Sequence, residues 1–273
     1  MAEPSAPGET ILDRIVARRR QDVDVAKRAT PFAELQERVR SAPPTIDFAA
    51  RLRAAAPLAL IAEIKRASPS KGDIAPDIIA PRQAMQYARA GAAGISVLTE
   101  PTWFKGTLDD MIGVRLAVGQ LPDRPAVLRK DFIVDPYQVL EARAYGADAI
   151  LLIVASLDDA NLRGLLELSR DAGMEPLVEV NNADEMRRAI AVGATVIGVN
   201  NRDLRSFTVD LGTTDRLAGL VPEGTLLAAL SGIATRADAE RFQAGGAAAI
   251  LVGEALMSDA DPGAKVRELL GIA

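Results

Sequence analysis

The stretch Ile61-Ala62-Glu63-Ile64-Lys65 puts an acid and a base two positions apart. On an extended strand, alternate side chains share a face, so Glu63 and Lys65 point the same way. Bulky Ile61 shares that face, which marks it as the inward one. An internal ion pair that only stiffens the fold would leave the same pattern, so the pair takes its meaning from what accompanies it. Leu128-Arg129-Lys130 aims a second lysine along the face of Leu128, and Leu177-Val178-Glu179-Val180 carries one carboxylate inside an apolar run. Together Glu63, Lys65, Lys130 and Glu179 form an acid–base cluster if their strands converge, since burial and mutual attraction shift such groups towards neutrality. Asn200, closing Gly198-Val199-Asn200, can donate and accept and suits a positioning role; a turn or helix cap would use it equally well. Two small-residue turns, Ser231-Gly232 and Gly253-Glu254, suit an anion, because small residues let backbone N–H groups approach it and a helix N-terminus favours negative charge. Turns need glycine anyway, so the signal lies in their joint placement. Ser68-Pro69-Ser70-Lys71-Gly72 adds hydroxyls and an ammonium, or is a plain flexible loop.

The composition narrows the chemistry. The 273 residues contain no cysteine and no histidine. Thiolate nucleophiles, disulfides, imidazole triads and the usual zinc ligands are therefore excluded, leaving acid–base work to Lys, Glu, Asp or Tyr. A net charge of −5 argues against nucleic acid as a partner. No apolar run reaches the roughly 20 residues that cross a bilayer, and the polar start lacks a signal pattern. A cytoplasmic protein without a membrane partner is expected, with residues 1–8 as a flexible tail. The run Arg18-Arg19-Arg20 reads as a solvated helix face.

Something must bring the charged residues together, and the pattern of elements supplies it. Strands are expected at Leu58–Ile64, Gly94–Leu98, Ala126–Lys130, Ala149–Val154, Pro176–Val180, Val196–Asn200, Leu226–Leu230 and Ala248–Val252. Helical periodicity lies between them, at Arg82–Ala90, Leu108–Val118, Tyr137–Tyr145, Leu162–Ala172, Ala183–Ala191 and Arg236–Ala244. Continuous apolar strands alternating with helices imply a parallel sheet covered by helices. Gly91-Ala92-Ala93-Gly94-Ile95 recurs as Gly146-Ala147-Asp148-Ala149-Ile150, Gly193-Ala194-Thr195-Val196-Ile197 and Gly246-Ala247-Ala248-Ala249-Ile250. The spacing of about fifty residues equals two βα units, each glycine falling where a helix ends in a left-handed cap. The fold class is therefore α/β: a (β/α)8 TIM barrel with a helical N-terminal extension (9–56), residues 9–273 forming one domain. An open doubly wound sheet could use the same joints, but the even recurrence favours closure. In such barrels the active site lies at the carboxyl ends of the strands, which is where the charged residues fall, and phosphate often binds after strands seven and eight.

Several ordered motifs resemble one family over nearly the whole chain. They are Ile11-Leu12-Asp13-Arg14-Ile15-Val16, Ala62-Glu63-Ile64-Lys65-Arg66-Ala67-Ser68-Pro69-Ser70, Leu128-Arg129-Lys130-Asp131-Phe132, Glu175-Pro176-Leu177-Val178-Glu179-Val180, Ile197-Gly198-Val199-Asn200-Asn201-Arg202-Asp203-Leu204, Ser231-Gly232-Ile233 and Leu251-Val252-Gly253-Glu254-Ala255-Leu256-Met257. The sequence resembles the indole-3-glycerol phosphate synthases. The resemblance implies ring closure and decarboxylation of a carboxyphenylamino-deoxyribulose phosphate, with no metal and no organic cofactor, by a monomer acting on a small phosphorylated aromatic amine. It implies Lys130 as general acid, Glu179 as base, Lys65 on the substrate carboxylate, and Glu63 and Asn200 as orienting groups. Ser68, Ser231, Gly232, Gly253 and Glu254 (through its backbone) would surround the phosphate, and Arg202 would also bind the substrate. Phe104, Phe132 and Leu151 would face the aromatic ring, although Phe132 and Leu151 suit a core equally. One position departs: the family usually carries glutamate before the Ser-Gly of strand seven, and here that residue is Leu230. The change removes a carboxylate partner from Lys65 or Lys130, predicts reduced activity, and opens an alternative: an engineered or reassigned barrel with Schiff-base (retro-)aldolase activity, because an apolar pocket around a lysine favours that chemistry.

Overall fold

The structure, a computed structural model, describes residues 10–205 and 207–273; the expected tail at 1–8 lies outside the described residues. Eight parallel strands close into a barrel: β1 (Ala59–Ile64), β2 (Gly94–Leu98), β3 (Ala126–Lys130), β4 (Ala149–Ile153), β5 (Leu177–Val180), β6 (Val196–Asn200), β7 (Leu226–Leu230) and β8 (Ala249–Val252). β8 pairs with β1 from Ala59 against Ala249 to Ala62 against Val252, which completes the ring. Alternation along each strand sorts its side chains into two cores. Leu60, Ile95, Val127, Ile150, Val178, Ile197 and Ile250 face outward to the helices, whereas Ala59, Ile61, Leu128, Leu151, Leu177, Leu230 and Leu251 fill the interior. This period-two division is what the sequence pattern requires of a helix-covered barrel.

The helices are α1 (Ile11–Ala29), α2 (Phe32–Ser41), α3 (Phe48–Arg53), α4 (Ala80–Arg89), α5 (Leu108–Val118), α6 (Pro136–Ala144), α7 (Asp159–Asp171), α8 (Ala183–Ala191), α9 (Gly212–Ala218), α10 (Arg236–Ala244), α11 (Glu254–Met257) and α12 (Pro262–Leu270). Their starts are written in the sequence. Thr107 and Thr235 build capping boxes with Asp110 and Asp238, each satisfying otherwise orphaned backbone donors. The repeated glycines leave their helices at φ +100° (Gly91), +89° (Gly146), +78° (Gly193) and +91° (Gly246). Only glycine takes that conformation without strain. The short α9 between β6 and β7 escaped the periodicity, and two helices, α11 and α12, follow β8. Ala67–Ser68 pairs antiparallel with Gly72–Asp73, so the stretch after β1 is an ordered hairpin.

The N-terminal extension is tied to the barrel by charge as well as apolar packing. Arg19 is a correction to the expected solvated face: it is only 6% exposed, and its guanidinium bonds Asp22 and Asp131 at 3.0 Å each. Helical geometry explains this, because of three consecutive residues one must turn towards the body that the helix packs on. Asp131 also accepts from Arg129 and from Thr99. Burial would raise the Asp131 carboxyl, but the two guanidiniums hold it below its ordinary value. At the opposite end, α3 lies across the amino-terminal mouth. Arg51 bonds the carbonyls of Asp123 and Arg124, and Arg53 that of Gly224.

Asp148, a member of the glycine repeat, accepts from Arg124 at 2.5 and 2.7 Å, from Val127 N at 2.8 Å and from Ile46 N at 3.0 Å, fully buried. Asp148→Ala strands a buried guanidinium and two N–H groups, a loss of about 3–5 kcal/mol. At roughly 2–4 °C per kcal/mol for a chain of this size, Tm should fall by about 10 °C. A thermal scan within about 3 °C of the parent would show that the bond network contributes little.

Candidate active site

β1 brings Glu63 and Lys65 to the carboxyl rim, β3 brings Lys130, β5 brings Glu179 and β6 brings Asn200. Lys65 Nζ lies 2.7 Å from Glu63 Oε1. Lys130 Nζ sits 3.9 Å from Glu63 Oε2 and 4.0 Å from Glu179 Oε2. Both of its distances exceed hydrogen-bond reach, so the two carboxylates steer the Lys130 ammonium without occupying its donors. Asn200 Nδ2 donates to Glu179 Oε1 at 2.9 Å, while Asn200 Oδ1 accepts from Arg202 N at 2.9 Å. One amide thus bonds a buried carboxylate and closes a turn.

The two glutamates are nearly equally buried, at 5% and 3% exposure, yet their acidities diverge. For Glu63, burial alone would raise the carboxyl, but Lys65 and Lys130 together outweigh it and hold it below the usual glutamate range. For Glu179, burial dominates and raises the carboxyl; Lys130 and the Asn200 amide oppose only part of it, and the charges of Glu185 and Glu63 add to the rise. Glu179 Oε2 is buried without a hydrogen-bond partner, an arrangement that costs about 1–3 kcal/mol. One anion kept ionised beside one acid poised to exchange a proton is the division of labour that acid–base catalysis needs.

The rim opens into two joined clefts that share Glu63, Lys65, Lys130, Glu179, Asn200, Arg202, Ser231 and Glu254. The first has an apolar side formed by Leu98, Phe104, Phe132, Leu151, Ile153, Leu204 and Phe207. The Phe104 and Phe132 rings are 6.0 Å apart and tilted by 40°. The second runs beneath the turns at Ser231-Gly232 and Gly253-Glu254. Ser231 adopts φ +65°, a left-handed backbone that non-glycine residues take up at a cost of order 1–3 kcal/mol. At Gly253 an added Cβ would fall 2.4 Å from Glu63 Oε1, so the glycine is what lets Glu63 stand where it does. Gly253 also starts α11 with no side-chain cap. The Glu254 carboxylate turns aside to Lys71 at 3.2 Å and Arg202 at 3.8 Å.

Every residue singled out in the sequence lines the joined clefts, Ser68 on the β1 side among them. Phe132 and Leu151, which suited core and site equally, do both: they are 7% and 1% exposed and still form the cleft wall. The sequence reading missed Leu98, Ile153, Leu204 and Phe207. Leu98 and Ile153 are the last inward positions of β2 and β4, so continuing the two-residue period would have found them. Leu204 and Phe207 lie on the loop after β6, where no periodicity operates. Leu230 is 1% exposed and packs over Gly198, where an added Cβ would meet it at 2.7 Å. The carboxylates that face Lys65 and Lys130 are Glu63 and Glu179.

Fold and site together define the class: single-chain (β/α)8 barrels with a helical extension and a lysine–glutamate centre at the carboxyl rim. The sequence profile of indole-3-glycerol phosphate synthase matches residues 12–269. The chain belongs to that family. It is 57% identical over 266 residues to the multifunctional tryptophan biosynthesis protein of Phycomyces blakesleeanus, covering 96% of this chain and 35% of that protein. It is 52% identical over 267 residues to the indole-3-glycerol phosphate synthase of Roseiflexus sp. (strain RS-1), covering 96% of this chain and 99% of that protein. The chain thus spans about a third of the first curated relatives it matches and nearly all of others. Among solved structures, 3-hexulose-6-phosphate synthase shares the fold, with a TM-score of 0.62, 21% identity, and coverage of 79% of this chain and 100% of that one.

Proposed function

We propose that this chain closes 1-(2-carboxyphenylamino)-1-deoxyribulose 5-phosphate to indole-3-glycerol phosphate, with release of carbon dioxide and water, in tryptophan biosynthesis. The observation that carries this reading is the order of features along the joined clefts: an aromatic-lined lobe, then the lysine–glutamate centre, then two glycine turns. That order matches the substrate from its aryl ring through its ketone to its phosphate. Lys130, with free donors, protonates the ketone oxygen as the ring carbon attacks the carbonyl carbon. Lys65, held by Glu63, binds the carboxylate that departs as carbon dioxide. Glu179, oriented by Asn200, then takes the carbon-bound proton while Lys65, released from the carboxylate, protonates the hydroxyl, which leaves as water. Ser68, Arg202, Ser231 and the backbone N–H groups at Gly232, Gly253 and Glu254 receive the phosphate. A Schiff-base reading finds no support in this centre, because each lysine faces a carboxylate rather than an apolar wall.

A monomer with one barrel domain over 9–273, in a cytoplasmic setting, belongs to the same proposal. The closed barrel supports the single domain, and the lack of cysteine fits a cytoplasmic setting; no described helix is long and apolar enough to cross a membrane. The test is fluorescence of indole-3-glycerol phosphate formed from the synthetic substrate without added metal. No product signal from the folded protein overturns the reading. In the same assay Lys65→Ala should raise KM by about tenfold or more, the scale of one lost charge-assisted contact; an unchanged KM would remove Lys65 from the substrate.

A further inference from the structure

The loop after β2 carries Phe104 into the apolar lobe, and a buried carboxylate that the mechanism does not use holds that loop. Glu100 is fully buried. Its Oε1 accepts from Thr102 N at 2.9 Å, and its Oε2 accepts from Trp103 N at 2.7 Å and Phe104 N at 3.0 Å. Its own carbonyl accepts from Gly106 N at 2.9 Å, closing the loop on itself. Gly106 is compelled, since a Cβ there would lie 2.0 Å from the Leu98 carbonyl oxygen. Lys105 between them takes a strained left-handed φ of +54°. A helix or strand normally satisfies three successive N–H groups; here the two oxygens of one side chain do so. The same end of β2 is locked to β3, Thr99 N donating to Lys130 O at 3.1 Å and Thr99 Oγ1 to Asp131 at 2.7 Å.

We infer that Glu100 is a positioning residue for aromatic recognition: its carboxylate fixes the backbone of residues 102–104 so that Phe104 meets Phe132 as one wall of the ring-binding lobe. This rests on the proposed function for the identity of the ring, but not for the ordering of the loop. Its effect should therefore be confined to the aryl end of a ligand and leave the phosphate end alone.

Trp103, the only tryptophan in the chain, sits in this loop and reports its order directly. Glu100→Gln turns an amide N–H against a backbone N–H. In this variant, without any ligand, Trp103 emission should move to longer wavelength and acrylamide quenching should rise; unchanged emission and quenching overturn the inference. With ligand, the variant should bind indole-3-glycerol phosphate about tenfold more weakly while glycerol 3-phosphate affinity moves by about twofold or less. Equal weakening of both marks Glu100 as merely structural and overturns the inference. In a Phe104→Ala background, Glu100→Gln should change indole-3-glycerol phosphate affinity by about twofold or less, because the two act through one wall; additive losses overturn it. If the parent protein binds glycerol 3-phosphate but not indole-3-glycerol phosphate, the proposed function fails, and the Trp103 measurement still decides the role of Glu100. Glu100→Asp, which keeps the charge but withdraws it by one methylene, supplies the same readouts should Glu100→Gln not fold.

Discussion

Lys130→Ala should lower kcat/KM for ring closure by about three orders of magnitude or more while Tm stays within a few degrees of the parent. The magnitude follows from the two services that the ammonium performs at once. Proton donation in the transition state contributes about 10²–10⁴, and a preorganised donor at a developing oxyanion about 10²–10³. The effects overlap, so their product is not expected. The fold should tolerate the change because Lys130 makes only long ion pairs, at 3.9 and 4.0 Å, with its side chain 19% exposed. Steady-state rates with a thermal scan on the same sample separate the two quantities. Turnover near that of the parent would remove Lys130 as the acid, and a collapsed Tm would make it a structural residue.

Glu179→Gln should cost kcat about 10²–10⁴, the range for a lost general base, and its pH behaviour makes the assignment testable twice over. Because burial raises the Glu179 carboxyl, its ionised form should deplete at a higher pH than for an ordinary glutamate. The acid limb of the kcat profile of the parent should therefore lie above the usual carboxylate range. Asn200→Ala, which removes the hydrogen bond that favours the ionised form, should move that limb higher still. The stability consequence has the opposite sign to that of a paired carboxylate. A carboxyl whose pKa is raised on folding holds its proton more tightly in the native state. It therefore penalises the fold above its native pKa, and the penalty vanishes below its unfolded value. Glu179→Gln should thus be at least as stable as the parent at pH 7 and gain nothing at pH 4. A variant less stable at pH 7, or an acid limb at the ordinary glutamate position, would contradict the assignment.

The sequence displayed the barrel because its physics is periodic. Strand ends such as Gly94–Leu98 and Val196–Asn200 match residue for residue, since a two-residue alternation between two apolar environments leaves little freedom of register. The charged centre was legible for the same reason: Glu63, Lys65, Lys130 and Glu179 each break an apolar run at an inward position. What escaped has no period. Arg19 shows no sign in its local sequence that its helix turns it onto Asp131, because that partner lies 112 positions away. The opposite acidities of Glu63 and Glu179 were equally invisible, for they depend on which neighbours stand within a few ångströms in space. Glu100 reads as an ordinary acid before Pro101, and only the folded loop shows three amides converging on it.

The placement of α3 has a consequence for traffic. Phe48 and Leu52, fully or almost fully buried, join the interior core with Ala59, Ala93 and Ala126, and the arginines of this helix staple it to the loops before β3 and β7. The cylinder, whose interior is filled by side chains, is thereby covered at one end, and the clefts open at the other. On the proposed function, the substrate enters and carbon dioxide, water and indole-3-glycerol phosphate leave by that one rim, because among the described residues α3 and the packed interior close the opposite side.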